Sequence, residues 1–393
     1  MKKKLIKSNK DLVFLLDQIQ NQSHQDVRKK FLMNRLKNLS LSDKEKMAIV
    51  RIKEFLSECD KKNITPVISF SGGKDSCVVR HLVGRVRKGI KLETAAEIFN
   101  PEIASFLKSF PKSEITFFSP IMSFKDVIKH HGYPVISKEM SQKINNVRNS
   151  KTLGNWTKAC FGLRSSRKIS KKYLHFLDKD LVKYEISNIC CSLIKGRLKY
   201  SKTPKFVGTT IQESQLRRTS WLKNGCNFYG KNTWSCRPIS LFTENDIWAY
   251  IKKYNVPYSK AYGHYGDKWS RTGCICCGFG SSFEQKLSDM GIKRSRFELL
   301  FDYYPSAYKK YIHDYGMYKP LCDCGIRLNV NDKKYQKYFE KRKKLISEWY
   351  SEDNFKNNLL KVIHAIEKQT NSKFKSAEIR KIFTNYGEKY AKI

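Results

Sequence analysis

The chain has 393 residues, of which 40% are hydrophobic, enough to build the core of one large domain or of two smaller ones. Its 77 basic residues against 36 acidic ones give a formal net charge of +41, so its surface is expected to attract polyanions such as nucleic acid. No window approaches the run of about twenty apolar residues that a membrane span needs, and the lysine-rich start leads into polar residues where a signal peptide would be apolar, so we expect a cytoplasmic protein with no membrane partner.

Residues 1–62 carry the periodicity of helices that pack on a core. Apolar residues recur at helical spacing in three runs, within residues 12–19, 31–36 and 49–56. The stretch Ser42-Asp-Lys-Glu45 is a candidate capping box at the start of the third helix. We therefore interpret residues 1–62 as a helical N-terminal extension.

The next stretch predicts a strand, a phosphate-binding loop and a helix. An apolar, β-branched run at 67–70 is followed by Ser71-Gly-Gly-Lys-Asp-Ser76, and apolar residues at helical spacing begin at Val78. Glycines at such a turn let backbone N–H groups approach an anion, and a helix start adds positive partial charge. The spacing is not that of a Walker A loop, and an ordinary glycine-rich turn is the alternative, but the two serines and Lys74 favour a nucleotide phosphate site.

This six-residue loop resembles the PP-loop of the ATP pyrophosphatase superfamily, whose members cleave ATP between the α and β phosphates and leave an adenylate. Within it, roughly residues 60–320 resemble the phosphoadenosine phosphosulfate (PAPS) reductase family, close to the ATP pyrophosphatases of DNA phosphorothioation. The resemblance implies that ATP with Mg²⁺ is the cofactor and that Lys74 and Asp75 are catalytic candidates. It implies that the loop residues bind the nucleotide, namely Ser71, Gly72, Gly73, Lys74, Asp75 and Ser76.

Strands and helices alternate after the loop. Residues 92–99 and 115–118 have strand composition, and Asn100-Pro-Glu102 predicts a turn that starts a helix. This alternation indicates a parallel sheet covered on both faces, with ligands beyond the carboxyl ends of its strands. The expected fold is α/β, a parallel-sheet Rossmann-like PP-loop domain (adenine nucleotide alpha hydrolase-like) at 63–320 with the cysteine cluster, between the helical extension 1–62 and a basic helical region at 321–393.

Two later segments resemble elements of the family that contact the nucleotide or substrate. The stretch 123–139 is similar to a family segment in which a helix ends at Gly-Tyr-Pro and a short strand places Ser-Lys-Glu next to the nucleotide. By this resemblance Lys138 is a candidate phosphate contact. The stretch 208–218 is similar to Gly-x-Arg-x-x-Glu-Ser-x-x-Arg, with Gly208, Glu213 and Arg217 in register. Thr210 replaces the first arginine, so that anion contact is either supplied elsewhere or unnecessary.

The segment 238–251 also resembles the family. It is similar to the family's Pro-x-x-x-Trp-x-x-x-Asp-x-Trp-x-Tyr-Ile pattern, although Leu241-Phe242 stands where relatives usually have an aromatic pair. Thr243 is a good helix start because acidic residues follow it in the first turn. Trp248, Tyr250 and Ile251 are most simply core residues.

Positive charge concentrates in residues 141–240, which hold 21 Lys and Arg against four acidic residues. Aromatic residues alternate with the basic ones, a mixture that serves phosphate neutralisation and base stacking. Core aromatics with lysines that reach solvent are the alternative, which leaves the shortage of acids unexplained. The aromatic residues in question are Trp156, Phe161, Tyr173, Phe176, Tyr184, Tyr200 and Phe206.

Twelve cysteines in a chain of this length and compartment point to metal or redox chemistry rather than a disulfide scaffold. Cys274 and Cys277 have Cys-x-x-Cys spacing between two glycines, and the tandem Cys190-Cys191 could complete a four-thiolate site for zinc or an iron–sulfur cluster. The pair plus the distant Cys-x-x-Cys is similar to the [4Fe–4S] arrangement of adenylylsulfate reductases and phosphorothioation pyrophosphatases, which implies a [4Fe–4S] cluster with zinc as the alternative. Cys226 also stands where close relatives have a cysteine, and buried free thiols are the structural alternative. Cys276 leaves the register of the motif open.

One further cysteine bears on the reaction type. Asp323-Cys-Gly-Ile326 is weakly similar to the Glu-Cys-Gly-His ending that carries the nucleophile of sulfonucleotide reductases, but Arg327 replaces the histidine. Those reductases also usually have a degenerate loop without the lysine, whereas Lys74 is present here.

Three functions remain open on the sequence alone. The favoured one is an ATP pyrophosphatase that adenylylates an acceptor, nucleic acid by the charge of the chain, for incorporation of sulfur from a donor protein such as a cysteine desulfurase. The second is a reductase of adenylyl or phosphoadenylyl sulfate. The third is a nucleotide- or DNA-binding module without turnover.

Overall fold

The computed structural model describes residues 33–95, 100–164, 168–196, 202–269, 273–292 and 294–388. The chain divides into two compact units, and each unit is made of two chain segments. The first unit comprises residues 1–120 and 195–273, and the second comprises residues 121–194 and 274–393. The division into 1–62, 63–320 and 321–393 stays a prediction.

Strands of the described residues are short. In chain order they are β1 Val67–Ser69, β2 Leu92–Ala95, β3 Ile115–Phe118, β4 Val135–Ile136, β5 Lys205–Val207, β6 Asn227–Tyr229, β7 Trp234–Cys236 and β8 Gly278–Phe279.

Helices make up most of the remaining described structure. In chain order they are α1 Leu41–Lys61, α2 Lys74–Val86, α3 Pro101–Lys108, α4 Phe124–His131, α5 Lys138–Arg148, α6 Asn155–Cys160, α7 Cys190–Ile194, α8 Gln215–Asn224, α9 Glu244–Tyr254, α10 Ser281–Asp289, α11 Arg296–Tyr303, α12 Pro305–Tyr308, α13 Tyr318–Asp323, α14 Lys333–Trp349, α15 Glu352–Thr370 and α16 Ser376–Asn385. Within the described ranges, no helix combines the length and the apolar character needed to cross a membrane.

The first unit is built on a six-stranded sheet with the strand order β3-β2-β1-β5-β7-β6. β3, β2, β1, β5 and β7 are parallel, and only the edge strand β6 is antiparallel to its neighbour. Ile68 pairs with Leu92 on one side and with Phe206 on the other. The carboxyl ends of the parallel strands therefore lie along one edge of the sheet, and the predicted α/β class is confirmed.

Helices of the first unit pack on this sheet through large apolar side chains. α1 and α9 both contact α2, and the rings of Phe55 on α1 and Phe206 on β5 meet edge to face at 5.0 Å. Phe55 and Phe206 are each fully buried. Val78, Val79 and Val83 of α2 are fully buried in the core. Their packing holds the helix that follows the loop in place.

The predicted start of α1 is wrong by two residues. Ser40 is the N-cap, and its side-chain oxygen accepts a hydrogen bond from the Asp43 N–H over 3.1 Å. Ser42 already lies inside the helix. Both serines precede acidic residues, so the sequence pattern alone did not separate them. The first two of the predicted N-terminal apolar runs fall wholly or partly in residues 1–32, outside the described residues.

Other predicted elements of the first unit are confirmed. The strand predicted at 115–118 is β3, and Asn100 caps α3 by accepting a hydrogen bond from the Glu102 N–H. Thr243 opens α9 with a reciprocal capping box to Asp246. The strand predicted at 92–99 is present as β2 up to Ala95, and residues 96–99 lie outside the described residues.

The second unit contains a short parallel pair, β4 and β8, and a set of helices. α4 ends at Gly132 after two histidines, and β4 follows, as predicted. The C-terminal helices α14, α15 and α16 are confirmed, and apolar residues of α15 and α16 join the buried core around α5 and residues 171–177. The basic C-terminal region is thus part of a hydrophobic core.

Candidate functional site

The loop Ser71–Ser76 comprises the turn after β1 and the first three residues of α2. Gly72 has a φ of +71°, and a Cβ there would lie 3.2 Å from Ile103 and Leu107 side chains of α3. Gly73 is the N-cap of α2, and the Ser76 hydroxyl donates to its carbonyl oxygen over 2.8 Å. The glycines therefore provide a left-handed turn and close packing, and the loop brings backbone N–H groups to a helix N-terminus.

Lys74 is the first residue of α2 and is buried, with 7% of its surface exposed. Its Nζ lies 3.4 Å from Asp75 Oδ2 and 3.9 Å from Glu244 Oε1 at the start of α9. It also lies 5.8 Å from the centre of the Tyr262 ring. Two carboxylates thus hold the ammonium beside the helix N-terminus, where it can exchange partners with a phosphate and where Asp75 and Glu244 can approach a Mg²⁺ ion.

Gly208 follows β5 and lies against the loop. A Cβ at this position would be 3.0 Å from the backbone N of Ser76 and from the carbonyl carbon of Asp75. These are backbone atoms, which cannot move aside as a flexible side chain would. Gly208, predicted from the family pattern, is therefore brought to the phosphate loop.

Glu213 stabilises the turn that follows Gly208. Its Oε1 accepts a hydrogen bond from the Thr210 N–H over 2.8 Å, and its Oε2 lies 3.9 Å from Arg217 Nε. The Thr210 side chain is buried and uncharged, consistent with the missing family arginine. Glu213 thus shapes the turn, and its predicted contact with the cofactor stays a prediction.

Arg237 was not singled out from the sequence. It directly follows β7, whose carboxyl end lies on the same sheet edge as those of β1 and β5. Its Nη1 donates to the Ser220 hydroxyl over 2.7 Å, and burial, followed by the nearby Arg217 charge, lowers its pKa. Two arginines therefore share one region of the site edge. Reading residues 234–236 as a strand would have placed Arg237 at this edge.

Lys138 belongs to the second unit. It is the exposed first residue of α5, directly after the Ser137 N-cap. Its contact with phosphate stays a prediction.

The predicted metal ligands are divided between the units. Cys190 begins α7, Cys191 follows it, and Cys274 and Cys277 lie on one tight turn in which the Cys277 N–H donates to the Cys274 carbonyl over 3.0 Å. These four belong to the second unit, whereas Cys226 belongs to the first. Cys226 is buried among apolar residues and accepts a hydrogen bond from the Trp221 indole over 3.5 Å.

The turn that carries Cys274 and Cys277 is held by its surroundings. Arg296 donates to the Cys277 carbonyl over 3.1 Å while pairing with Glu284 through two nitrogens. Burial lowers the pKa of Arg296, but Glu284 and then the Cys277 and Cys274 thiols raise it above its usual value. Cys276 is fully buried, and burial, followed by Cys277 and Cys190, raises the pKa of its thiol.

Thiolates in this number suit an iron–sulfur cluster or zinc. In the ranges that the structure describes, however, no three Cys, His, Asp or Glu side chains form a group that could hold a metal ion. The cluster therefore stays a prediction, and no chemical step is assigned to one.

Cys324 lies in the second unit beside a buried ion pair. Burial, followed by the charge of Asp323, raises the pKa of its thiol well above the usual range. Asp323 accepts hydrogen bonds from Arg342 over 2.7 Å and from the Tyr184 hydroxyl over 2.6 Å. A nucleophilic cysteine needs a lowered pKa, so this environment does not favour the reductase nucleophile.

Most aromatic residues of the basic stretch belong to the core. Phe161, Phe176 and Phe206 are fully buried and Tyr173 nearly so, and they cannot stack on bases in this arrangement. The base-stacking interpretation is therefore wrong for these four. Trp156 is exposed over 55% of its surface, and Tyr200 lies outside the described residues.

The site of the first unit can bind an anion in two places along one sheet edge. The loop offers N–H groups, two hydroxyls and Lys74, and a second region is formed by Arg237 after β7 and Arg217 of α8. Sequence reasoning missed three contributors, Arg237, Glu244 and Tyr262; Glu244 lies in the first turn of a helix that was itself predicted. The arrangement suits a polyphosphate beside a second anionic group.

A family model described as phosphoadenosine phosphosulfate reductase domain matches residues 65–278, which is more than half of the chain. No curated protein matches the chain. Among solved structures, the chain is similar to a phosphoadenylyl-sulfate (PAPS) reductase from Candida auris in a phosphate complex, at 13% identity and a TM-score of 0.32. That alignment covers 64% of this chain and 99% of the other, and so distant a likeness carries no argument about function.

Proposed function

Because the chain belongs to the phosphoadenosine phosphosulfate reductase domain family, we propose that its first unit binds ATP at Ser71–Ser76 and cleaves it between the α and β phosphates. The acceptor of the adenylyl group is a nucleic acid, which is thereby activated for incorporation of sulfur. The family match itself indicates an enzyme of the sulfonucleotide reductase and PP-loop kind.

One observation carries this proposal. The loop is complete, and Lys74 is buried at the start of α2, between Asp75 and Glu244, at the carboxyl edge of a parallel sheet. Burying a lysine is costly unless its charge is paired. Asp75 and Glu244 pair the Lys74 ammonium at 3.4 and 3.9 Å, and a phosphate of ATP can form a stronger charge-assisted contact with it. A site for a ready-made sulfonucleotide has less need of a cation that reaches the β and γ phosphates.

The proposed reaction has two steps. An acceptor oxygen attacks the α-phosphorus, a new P–O bond forms, and the bond to the β-phosphate oxygen breaks so that pyrophosphate leaves. A sulfur nucleophile at the oxidation level of hydrosulfide then attacks the activated position, and adenylate leaves with the former acceptor oxygen. Lys74 and the loop N–H groups neutralise charge on the phosphates, and Asp75 would hold a Mg²⁺ ion that supplies further charge neutralisation, or orient a water.

The nucleic-acid acceptor is supported by charge. The chain carries a net charge of +41, and only four acidic residues stand among 21 basic ones in residues 141–240. Several lysines of this stretch are already paired with acidic residues, namely Lys143, Lys158, Lys171 and Lys205. Lys205 Nζ, for example, lies 3.1 Å from Glu93 Oε2. Lys202 is exposed and remains a candidate for phosphate contact, and Arg197 and Lys199 lie outside the described residues.

The remaining parts of the proposal are a [4Fe–4S] cluster, or zinc, held by the cysteines of the second unit, and a sulfur donor protein such as a cysteine desulfurase. They rest on the sequence pattern. The described geometry gives the cluster no support, so neither step above passes through it.

The alternative function is reduction of adenylyl or phosphoadenylyl sulfate, which the description of the family favours. Its weak point is the nucleophile, because burial, followed by the charge of Asp323, raises the pKa of the Cys324 thiol. The pair formed by Arg217 and Arg237 would suit a sulfate group as well as a nucleic-acid phosphate, so an assay with each substrate is needed to distinguish the two functions.

The test measures pyrophosphate from ATP with Mg²⁺ alone, with single-stranded DNA, with duplex DNA and with RNA, and separately measures sulfite from adenylyl and phosphoadenylyl sulfate with a thiol donor. Pyrophosphate release that depends on a nucleic acid supports the proposal. Sulfite formation without such release would establish the reductase instead, and neither product would leave a binding module.

Association with nucleic acid has its own signature. If phosphates are neutralised by lysines, log affinity falls linearly with log salt concentration, with a slope of about −0.9 per contact on duplex DNA and about −0.7 on single strands. Lys202→Glu should weaken the affinity for nucleic acid and make the salt dependence less steep. Lys205→Glu is unsuitable as a probe because it places two carboxylates together at Glu93.

A further inference from the structure

A cavity lined by basic side chains lies in the first unit, at the opposite edge of the sheet from the loop. Its volume is about 640 Å³, within the range of small-ligand pockets. It is bordered by the C-terminal half of α2, the connection to β2 and the residues before β3. Arg85 is eleven residues after Lys74, so along α2 the two sites are about 16 Å apart.

The walls of the cavity are strongly basic. The lining residues with basic side chains are Arg80, His81, Arg85, Arg87, Lys88 and Lys91, and the lining acid is Glu114. Some positive charge is expected at a helix C-terminus, where it stabilises the helix dipole. Lys91 lies beyond that helix, at the entry to β2, so the dipole does not account for it.

Part of this charge is already neutralised. Arg80 lies 3.6 Å from Glu114, Arg85 lies 3.3 Å from Glu45, and Arg87 forms a two-nitrogen pair with Asp60. Lys88 and Lys91 make no ion pair with any of the described residues. The surplus of two positive charges matches one phosphate monoester, which carries about −1.5 to −2 at pH 7.

Apolar side chains and the imidazole ring of His81 also line the cavity. Ile68, Val83 and Leu92 form buried apolar surface, and Ile90 is partly exposed. The His81 ring lies beside Tyr250, with its Nδ1 2.8 Å from the Tyr250 hydroxyl. Burial, followed by Arg85 and Arg80, lowers the His81 pKa, so the ring is mainly uncharged at neutral pH. Such walls suit a flat base better than an inorganic ion.

We infer that this cavity is a second binding site for a nucleoside phosphate, with the phosphate on Lys88 and Lys91 and the base against Ile90 and His81. The ligand is either a free nucleotide or one nucleotide of a nucleic-acid strand. The inference is independent of the proposed function, because no residue of the cavity belongs to the phosphate loop.

Gly84 gives a clean way to test the cavity. It lines the cavity within α2, and a Cβ there would have no heavy atom within 4 Å beyond its own helix. Gly84→Ala is therefore a matched control that should stabilise the helix slightly, while Gly84→Glu places a carboxylate in the cavity without a clash. Lys88→Glu with Lys91→Glu is the second probe, and Lys223→Glu, at the end of α8, is the exposed-lysine control.

Binding is measured by calorimetry on full-length protein in the Lys74→Ala background, which weakens the loop site, with AMP, a twelve-nucleotide single strand and inorganic phosphate as probes. We expect AMP or the oligonucleotide to bind, with at least tenfold weaker affinity in Gly84→Glu and in the double lysine variant, and unchanged affinity in Gly84→Ala and Lys223→Glu. Tight binding of AMP identifies a free nucleotide, and preference for the oligonucleotide identifies a strand. Equal affinities in Gly84→Ala and Gly84→Glu, or phosphate binding as tight as AMP, would overturn the inference.

Discussion

The backbone N–H of Lys74 donates a hydrogen bond over 3.1 Å to the hydroxyl of Tyr262, which lies 188 residues later in the chain. Tyr262 is buried, and its ring also contacts Trp248 of α9 at 5.5 Å. The first N–H of α2 is one of the groups that a phosphate at the loop would use. We therefore expect the segment around residue 262 to be coupled to the state of the loop.

Replacing Tyr262 tests this coupling. Tyr262→Phe leaves the buried Lys74 N–H without its acceptor, at a cost of about 1–3 kcal/mol in the free energy of unfolding. A bound phosphate can replace the acceptor, so we expect ATP to raise the melting temperature more in Tyr262→Phe than in the unmodified protein. Calorimetric melting with and without ATP measures both effects, and equal ATP-induced shifts would contradict the coupling.

Lys74 and Asp75 are the catalytic candidates of the loop. Lys74→Ala should weaken ATP binding, because a charge-assisted contact contributes about 1.5–3 kcal/mol, or about ten- to a hundredfold. Asp75→Asn should lower turnover more than binding, because it keeps the shape of the side chain and removes its charge. Rates of pyrophosphate release and ATP affinities separate the two effects, with circular dichroism as the folding control. Unchanged turnover in both variants would exclude the loop from the mechanism.

Position 208 is predicted to have no room for a side chain. Gly208→Ala places a Cβ at 3.0 Å from loop backbone atoms, so the loop must shift. We expect ATP affinity to fall at least tenfold with a small loss of stability, since a displacement of the loop misaligns its N–H groups. Gly273→Ala is the control because a Cβ there would meet nothing within 4 Å. Equal ATP affinities in the two variants would show that the close approach of Gly208 is unimportant.

The metal prediction can be separated from folding by comparing cysteines of the two units. Anaerobically purified protein is expected to hold about four irons per chain if the thiolates bind a [4Fe–4S] cluster. Cys274→Ser and Cys277→Ser should lose this iron, whereas Cys226→Ser should keep it, because Cys226 packs against Trp221. Metal analysis and the visible spectrum measure the outcome. If Cys226→Ser loses the iron while Cys274→Ser and Cys277→Ser keep it, Cys226 is a ligand and the prediction is wrong. Stoichiometric zinc in place of iron would identify a structural zinc site.

Local patterns predicted much of the first unit because short-range chemistry determines them. The loop, β3 and the helix starts at Asn100 and Thr243 depend on neighbouring residues, and all four are present. The positions of Tyr262 and Glu244 beside Lys74 depend on how distant segments pack, and no local pattern reports it. The base-stacking prediction for the aromatic residues of the basic stretch was wrong for a related reason. The composition of a segment does not say which of its side chains are buried.

Arg237 is a candidate anion contact that the sequence did not reveal, and we propose that it takes the place of the arginine that is missing at Thr210. It follows β7 on the edge that carries the loop, and it lies near enough to Arg217 for that charge to lower its pKa. Two like charges kept together favour an anion between them, so we expect Arg237→Gln to raise the KM for the acceptor about ten- to a hundredfold while the affinity for ATP stays the same. Arg217→Gln should have a smaller effect because its side chain is 46% exposed, and Lys223→Gln is the control for charge alone. Acceptor-dependent pyrophosphate release, measured over a range of acceptor concentrations, gives the KM. A loss of ATP affinity in Arg237→Gln with an unchanged KM would instead assign this arginine to the nucleotide.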